Sequence, residues 1–230
     1  PGADIVGSML SGSGGILGGT DDGRGGGAGG HGGGGGTGAS GLGAGWTNTQ
    51  FFGTQVWGSK FVYVIDRSGS MSQRDRLGTA KRELLTSLTH LPPDSQFQII
   101  FYNLRPDAIL QPKALKLHYA TDQNKVMATR EMEKLFPDSG TEHLPALKMA
   151  LSMKPDVVFF LTDADDLRAR DVKEVSDLNN GRANIHTIEF AIGPETDREN
   201  MLRELASANG GTYRYIDVSR TGEPIREGKR

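Results

Sequence analysis

The chain has 230 residues, a formal net charge of −2, no cysteine and 33 glycines, 22 of which fall within residues 1–45. The lack of cysteine excludes a disulfide framework and thiolate-held metal, and the interspersed acidic and basic residues leave no nucleic-acid footprint. No apolar run approaches the roughly 20 residues of a membrane-spanning helix and no signal peptide is visible. The chain starts at Pro1 rather than Met. Membrane attachment is therefore expected only through an anchor upstream of these residues, and the compartment stays open.

Residues 1–45 hold too few large apolar side chains to offset the entropy of ordering them. They are expected to form a flexible glycine-rich tail or linker. The polyglycine run 32–36 follows no strand and opens no helix, so it does not read as a phosphate loop. The rest of the chain is long enough for one sizeable core. That core is expected over residues 46–217, with a charged, fraying tail at 218–230.

Residues 49–57 read as a strand and 58–59 as a turn. Residues 60–65, KFVYVI, form the near-continuous apolar run of a strand covered on both faces. A polar loop, DRSGSMSQRD, follows. Leu77, Ala80, Leu84, Leu88 and Leu91 repeat at helical spacing, and Pro92-Pro93 ends that helix. Residues 96–102, QFQIIFY, predict another strand, and 107–110 and 114–118 short edge strands. Ala128, Met132 and Leu135 mark a helix from about Thr121, which Pro137 closes before the loop DSGT. Leu144, Leu147 and Leu151 mark the next helix, with Pro145 tolerated in its first turn. A second strongly apolar strand, 156–161 (DVVFFL), leads into TDADD. A helix carrying Val172, Val175 and Leu178 is closed by Gly181. A strand at 185–192, a helix at 198–208 and a strand at 212–216 complete the pattern. Strands alternating with helices define an α/β fold with a mainly parallel central sheet.

Ligands of such sheets bind beyond the carboxyl ends of the strands. That rule selects three loops. The one after Ile65 carries Asp66, Ser68 and Ser70 in a D-x-S-x-S pattern, the one after Leu161 carries Asp163, and the one before the Leu144 helix carries Thr141. All five side chains end in oxygen. Two carboxylates and three hydroxyls suit Mg²⁺ (or Mn²⁺), a hard ion that takes six oxygens and keeps some of its waters; a zinc site would favour nitrogen or sulfur. Two carboxylates only balance the ion's charge, and at least one position is left to water. An acidic side chain from a protein partner can take it.

These residues resemble the metal-ion-dependent adhesion site of von Willebrand factor A-type domains, and the resemblance runs from about Phe51 to Asp217. It implies a Rossmann-like sheet with helices on both faces. It also implies a non-enzymatic, divalent-metal-dependent protein-binding or adhesion module, with no catalytic residue and no small-molecule substrate. In that family the two serines of the motif ligate the metal directly, the threonine does so directly or through water, and the aspartates act largely through water. Carried over, Ser68 and Ser70 are direct ligands, Thr141 is switchable, and Asp66 and Asp163 act mostly through water. The stretch FFGTQVWGSKFVYVIDRSGSM is also similar to bacterial members that sit behind a glycine-rich segment and an N-terminal anchor. Ala164 departs from the glycine the family often has after the last aspartate. Asp165 and Asp166 add negative charge there, which Arg67 would offset; a solvated helix start is the plainer reading of the pair.

Two further functions compete. A phosphohydrolase of the haloacid-dehalogenase kind would use Asp66 as nucleophile, but needs a titratable aspartate where Ser68 stands. A serine hydrolase needs G-x-S-x-G, and DRSGS does not supply it. The other alternative is a structural module whose metal site has decayed. His143 reads as a first-turn helix residue without special role, and His31, His90, His118 and His186 show no ligand spacing. Trp46, Phe51, Phe52 and Trp57 read as packing at a domain edge, with a binding patch as the alternative.

Overall fold

The structure, a computed structural model, describes residues 46–220 apart from 165, 197 and 198. The tail expected at 1–45, most of the tail expected at 218–230, and Asp165 therefore lie outside the described residues.

The first described segment is a hairpin rather than the single strand expected. β1 (Thr47–Phe51) pairs antiparallel with β2 (Thr54–Gly58). Phe52 (φ 48°) and Gly53 (φ 71°) form the turn, the positive-φ pair that a two-residue hairpin connection favours. Bulky aromatics rarely adopt this conformation, so Phe52 carries no turn signal. Tertiary packing supplies the compensation. The Phe52 ring is 2% exposed and stands edge-on to Phe190 with centroids 5.2 Å apart, and its N–H donates to Glu83 Oε1 at 2.8 Å.

β3 (Lys60–Asp66) is followed by a 3-10 segment, Gly69–Asp75, and α1 (Arg76–Thr89). Next come β4 (Gln96–Tyr102), the short β5 (Pro106–Ala108) and β6 (His118–Tyr119), and α2 (Asp122–Glu133). The chain continues through α3 (His143–Ser152), β7 (Val157–Thr162), α4 (Ala169–Asn179), β8 (Asn184–Ala191), α5 (Met201–Ala208) and β9 (Tyr213–Asp217). The seven-stranded sheet runs β5-β4-β3-β7-β8-β9, with β6 also on β4. β4, β3, β7, β8 and β9 are parallel, and β5 and β6 pair antiparallel with β4.

Strand alternation divides the core between the two faces of the sheet. Phe61, Tyr63 and Ile65 of β3 pack with Phe51, Phe52, Leu84 and Leu88 on one face. Val62 and Val64 pack with Leu147, Val175 and Leu205 on the other. The hairpin, α1 and α2 thus cover one face, and α3, α4 and α5 the other. Each large apolar side chain so buried contributes roughly 1.5–3 kcal/mol. Phe51, Tyr63 and Phe159 form an aromatic cluster with centroids 5.2–5.4 Å apart, and the buried Tyr63 hydroxyl is satisfied by Ser87 Oγ at 2.7 Å. No described helix is long and apolar enough to cross a membrane.

Candidate metal centre

β3 lies between β4 and β7, so the carboxyl end of β3 opens at the middle of the sheet edge. Asp66 is its last residue and is 0% exposed. Both its oxygens accept hydrogen bonds. Oδ1 takes the Ser68 N–H at 2.7 Å, and Oδ2 takes the Thr162 hydroxyl at 2.6 Å across the neighbouring strand. Burial raises the Asp66 pKa above the ordinary carboxylate range. The bonds from Thr162 and Ser68 oppose that rise, and the charge of Asp163 adds to it.

The two motif serines converge, with Ser68 Oγ and Ser70 Oγ 3.0 Å apart. Ser70 then donates to Asp163 Oδ1 at 2.8 Å. A serine that donates its proton to a carboxylate keeps oxygen lone pairs for a cation, so this chain of contacts is the geometry a metal-bound serine needs. Asp66, Ser68, Ser70 and Asp163 thus meet in one hydrogen-bonded cluster.

The loop that carries Thr141 is tied to the motif loop by backbone hydrogen bonds of its neighbours. Gly69 N–H donates to Ser139 O, and Asp138 N–H to Arg67 O, both at 2.8 Å. Glu142 N–H donates to Asn103 O at 2.8 Å, which fixes the other end of the loop. A Cβ on Gly69 would stand 3.3 Å from Ser139 O, closer than is comfortable for that approach. Among the described residues no hydrogen bond joins the Thr141 hydroxyl to the other four side chains. Thr141 instead lines a polar cavity of about 290 Å³ with His143, Asp166, Arg168 and Arg170.

Three participants were not visible in the sequence. Thr162, read as the first residue of the TDADD loop with no role of its own, ends β7 and donates to Asp66. His143, read as having no special role, is 5% exposed and joins Tyr102 Oη to Nδ1 at 2.9 Å and Asp166 to Nε2 at 2.5 Å. That network ties the Thr141 loop to the segment following Asp163. Arg76, which follows the polar loop and carried no role in the sequence reading, pairs through Nη1 with Asp163 Oδ2, and the two side chains are 7% and 0% exposed. The role weighed for Asp165 lies outside the described residues. Of the aromatic quartet, Phe51 and Phe52 are buried, whereas Trp46 and Trp57 are 42% and 52% exposed.

Among the described residues, no group of three or more His, Cys, Asp or Glu is placed to hold a metal. A hard divalent ion does not require one. The donor chemistry here is two carboxylates and three hydroxyls on three loops, and the serine–serine–aspartate contacts fit such an ion.

The comparisons with known proteins agree with this architecture. A family model described as von Willebrand factor type A domain matches residues 61–165, which include four of the five positions named here plus Thr141, the fifth, between them. A von Willebrand factor type A structure from Catenulispora acidiphila superposes with a TM-score of 0.61 at 21% identity, covering 72% of this chain and 41% of that one. The conserved hypothetical protein BatB from Bacteroides thetaiotaomicron gives 0.55 at 18% identity, covering 70% and 91%. Proximal thread matrix protein 1 from the mussel byssus, with a zinc-occupied MIDAS motif, gives 0.54 at 18% identity, covering 70% and 42%. This chain therefore spans less than half of the first and third of these. No curated protein matches it. Residues 61–165 thus match a von Willebrand factor type A domain, and the fold has the Rossmann-like sheet with helices on both faces that the resemblance implied.

Proposed function

We propose that the domain is a non-enzymatic protein-binding module that holds Mg²⁺ or Mn²⁺ with Asp66, Ser68, Ser70, Thr141 and Asp163, and that an acidic side chain of a protein partner completes the coordination. The observation that carries this reading is the unbroken contact chain Ser68–Ser70–Asp163 beside the buried Asp66. The mussel protein's zinc-occupied MIDAS motif supports it by likeness. The nucleophile reading of Asp66 is disfavoured, because the carboxylate is fully buried and both its oxygens already accept hydrogen bonds.

One observation favours a second reading, the structural module with a decayed metal site. Arg76 already neutralises Asp163 without any ion. Partner capture from native lysate separates the two. Under the metal-dependent reading, one set of partners is retained with Mg²⁺ and lost both on chelation and in Asp66→Ala. Capture that survives both treatments would show that the interface lies elsewhere on the domain.

A further inference from the structure

Arg76 is the first residue of α1, and the chain just before it is sharply bent. Arg74 (φ 50°) and Asp75 (φ 53°) are both left-handed. This double reversal turns Arg76 inward, where Nη1 meets Asp163 Oδ2 and also Ser70 O at 3.3 Å. Ser70 and Asp163 are two members of the oxygen cluster, so the guanidinium stands against the metal centre itself.

The pair is poorly made for a purely structural role. A stabilising arginine–carboxylate pair is commonly bidentate, whereas here one nitrogen makes the contact and Nε is buried without a partner among the described residues. An ion pair this buried loses much of its Coulomb gain to desolvation. Its position accounts better for it. The guanidinium occupies the Asp163 oxygen that Ser70 leaves open, and it places a fixed positive charge where a divalent ion would have to approach. With both side chains shielded from water, that repulsion is only weakly screened.

We propose that Arg76 is the resident counter-cation of the metal centre, which weakens binding of a bare divalent ion and makes the loaded centre select an anionic ligand. The proposal rests on the metal-dependent reading above. Asp66 and Asp163 by themselves would neutralise a divalent ion. With Arg76 present, the loaded centre keeps one positive charge in excess, and a carboxylate from a partner neutralises it. Metal and carboxylate then bind cooperatively. By linkage, the factor by which the anion tightens the metal equals the factor by which the metal tightens the anion. The domain would hold its metal loosely until an acidic partner arrives.

The test is isothermal titration of the full chain with Mg²⁺ at constant ionic strength, with sodium chloride replaced stepwise by sodium acetate. Wild type is compared with Arg76→Met and Arg76→Lys, and far-UV circular dichroism checks each fold. Arg76→Met is expected to bind Mg²⁺ roughly tenfold or more tightly than wild type. Acetate should tighten Mg²⁺ binding to wild type and to Arg76→Lys, which keeps the charge, and do little for Arg76→Met. Arg76→Met binding Mg²⁺ no more tightly than wild type, or with the same acetate dependence, overturns the role of Arg76 and leaves the metal-dependent reading intact. If Arg76→Met does not fold, the acetate dependence of wild type decides, and its absence overturns the proposal. No Mg²⁺ binding by any of the three proteins overturns both readings.

Discussion

Asp66 meets two opposing demands. Its neighbours are arranged to accept its charge, yet its burial and the nearby Asp163 make that charge unfavourable while no cation is present. Its folded pKa lies above its unfolded value, so in metal-free protein stability rises as pH falls through that folded value, and ionisation at neutral pH costs folding free energy. Asp66→Asn keeps the shape and removes the charge, and the Thr162 hydroxyl can reverse to accept from the new amide. In chelating buffer at neutral pH the variant is expected to melt above wild type; a lower melting temperature would mean that the lost charge-assisted bonds outweigh burial. His186 carries the opposite sign. It is 6% exposed, its Nδ1 accepts the Thr212 N–H at 3.1 Å, and burial pushes its pKa down to about 4. As pH falls, the unfolded chain takes up the proton first, so stability is lost between the ordinary value near 6.5 and about 4, by up to about 3 kcal/mol. Urea denaturation in chelating buffer at about pH 7 and about pH 4.5 should show a smaller difference for His186→Leu than for wild type. An equal difference would place the acid sensitivity in other groups.

At the scale of elements, two glycines separate two costs of the same substitution. A Cβ on Gly211, at the entry to β9, would lie 1.9 Å from the Ile185 carbonyl oxygen. Backbone has to move, so Gly211→Ala is expected to destabilise by about 3 kcal/mol or more. Gly181 has φ +70° with nothing within 4 Å of its Cβ position, so Gly181→Ala meets only conformational strain, about 1 kcal/mol. Equal urea midpoints for the two variants would sink this distinction. The sequence announces the central elements and hides the local reversals. β3 and β7 are legible because burial on both faces demands unbroken apolar runs, β4 because its run is interrupted only at Gln98, and α1 because Leu77, Ala80, Leu84 and Leu88 recur on its buried side. The β1–β2 turn reads as strand, since Phe52 enters the left-handed region only because its ring and N–H find partners in β8 and α1. Arg74 and Asp75 were equally silent, and with them the inward turn of Arg76.

For the whole molecule, topology brings together what sequence separates. Asp66 and Asp163 lie 97 positions apart in the chain, yet β3 and β7 are adjacent and parallel, so their loops open on the same side. The D-x-S-x-S motif and the strand ends point to Asp66, Ser68, Ser70 and Asp163, which hydrogen bonds bring together, and to Thr141, whose hydroxyl no described hydrogen bond joins to them; the ion pair and the His143 network depend on tertiary geometry and left no pattern to read. Because the three loops leave separate strands and helices, an ion that bridges them ties the sheet to α1 and α3. An ion that binds only the folded state stabilises it by RT ln(1 + [L]/Kd). With free Mg²⁺ at about ten times Kd, that is about 1.4 kcal/mol, or a few degrees in melting temperature for a domain of this size. The shift should grow with the logarithm of Mg²⁺ concentration above Kd and vanish in Asp66→Asn. Ca²⁺ is expected to do less at equal concentration, because it prefers six to eight oxygens at longer distances than these short serine-based loops supply. A melting temperature that is unchanged by Mg²⁺ and Mn²⁺ at millimolar concentrations, in wild type as in Asp66→Asn, would leave Arg76 as the only cation this centre holds and the structural reading as the one that stands.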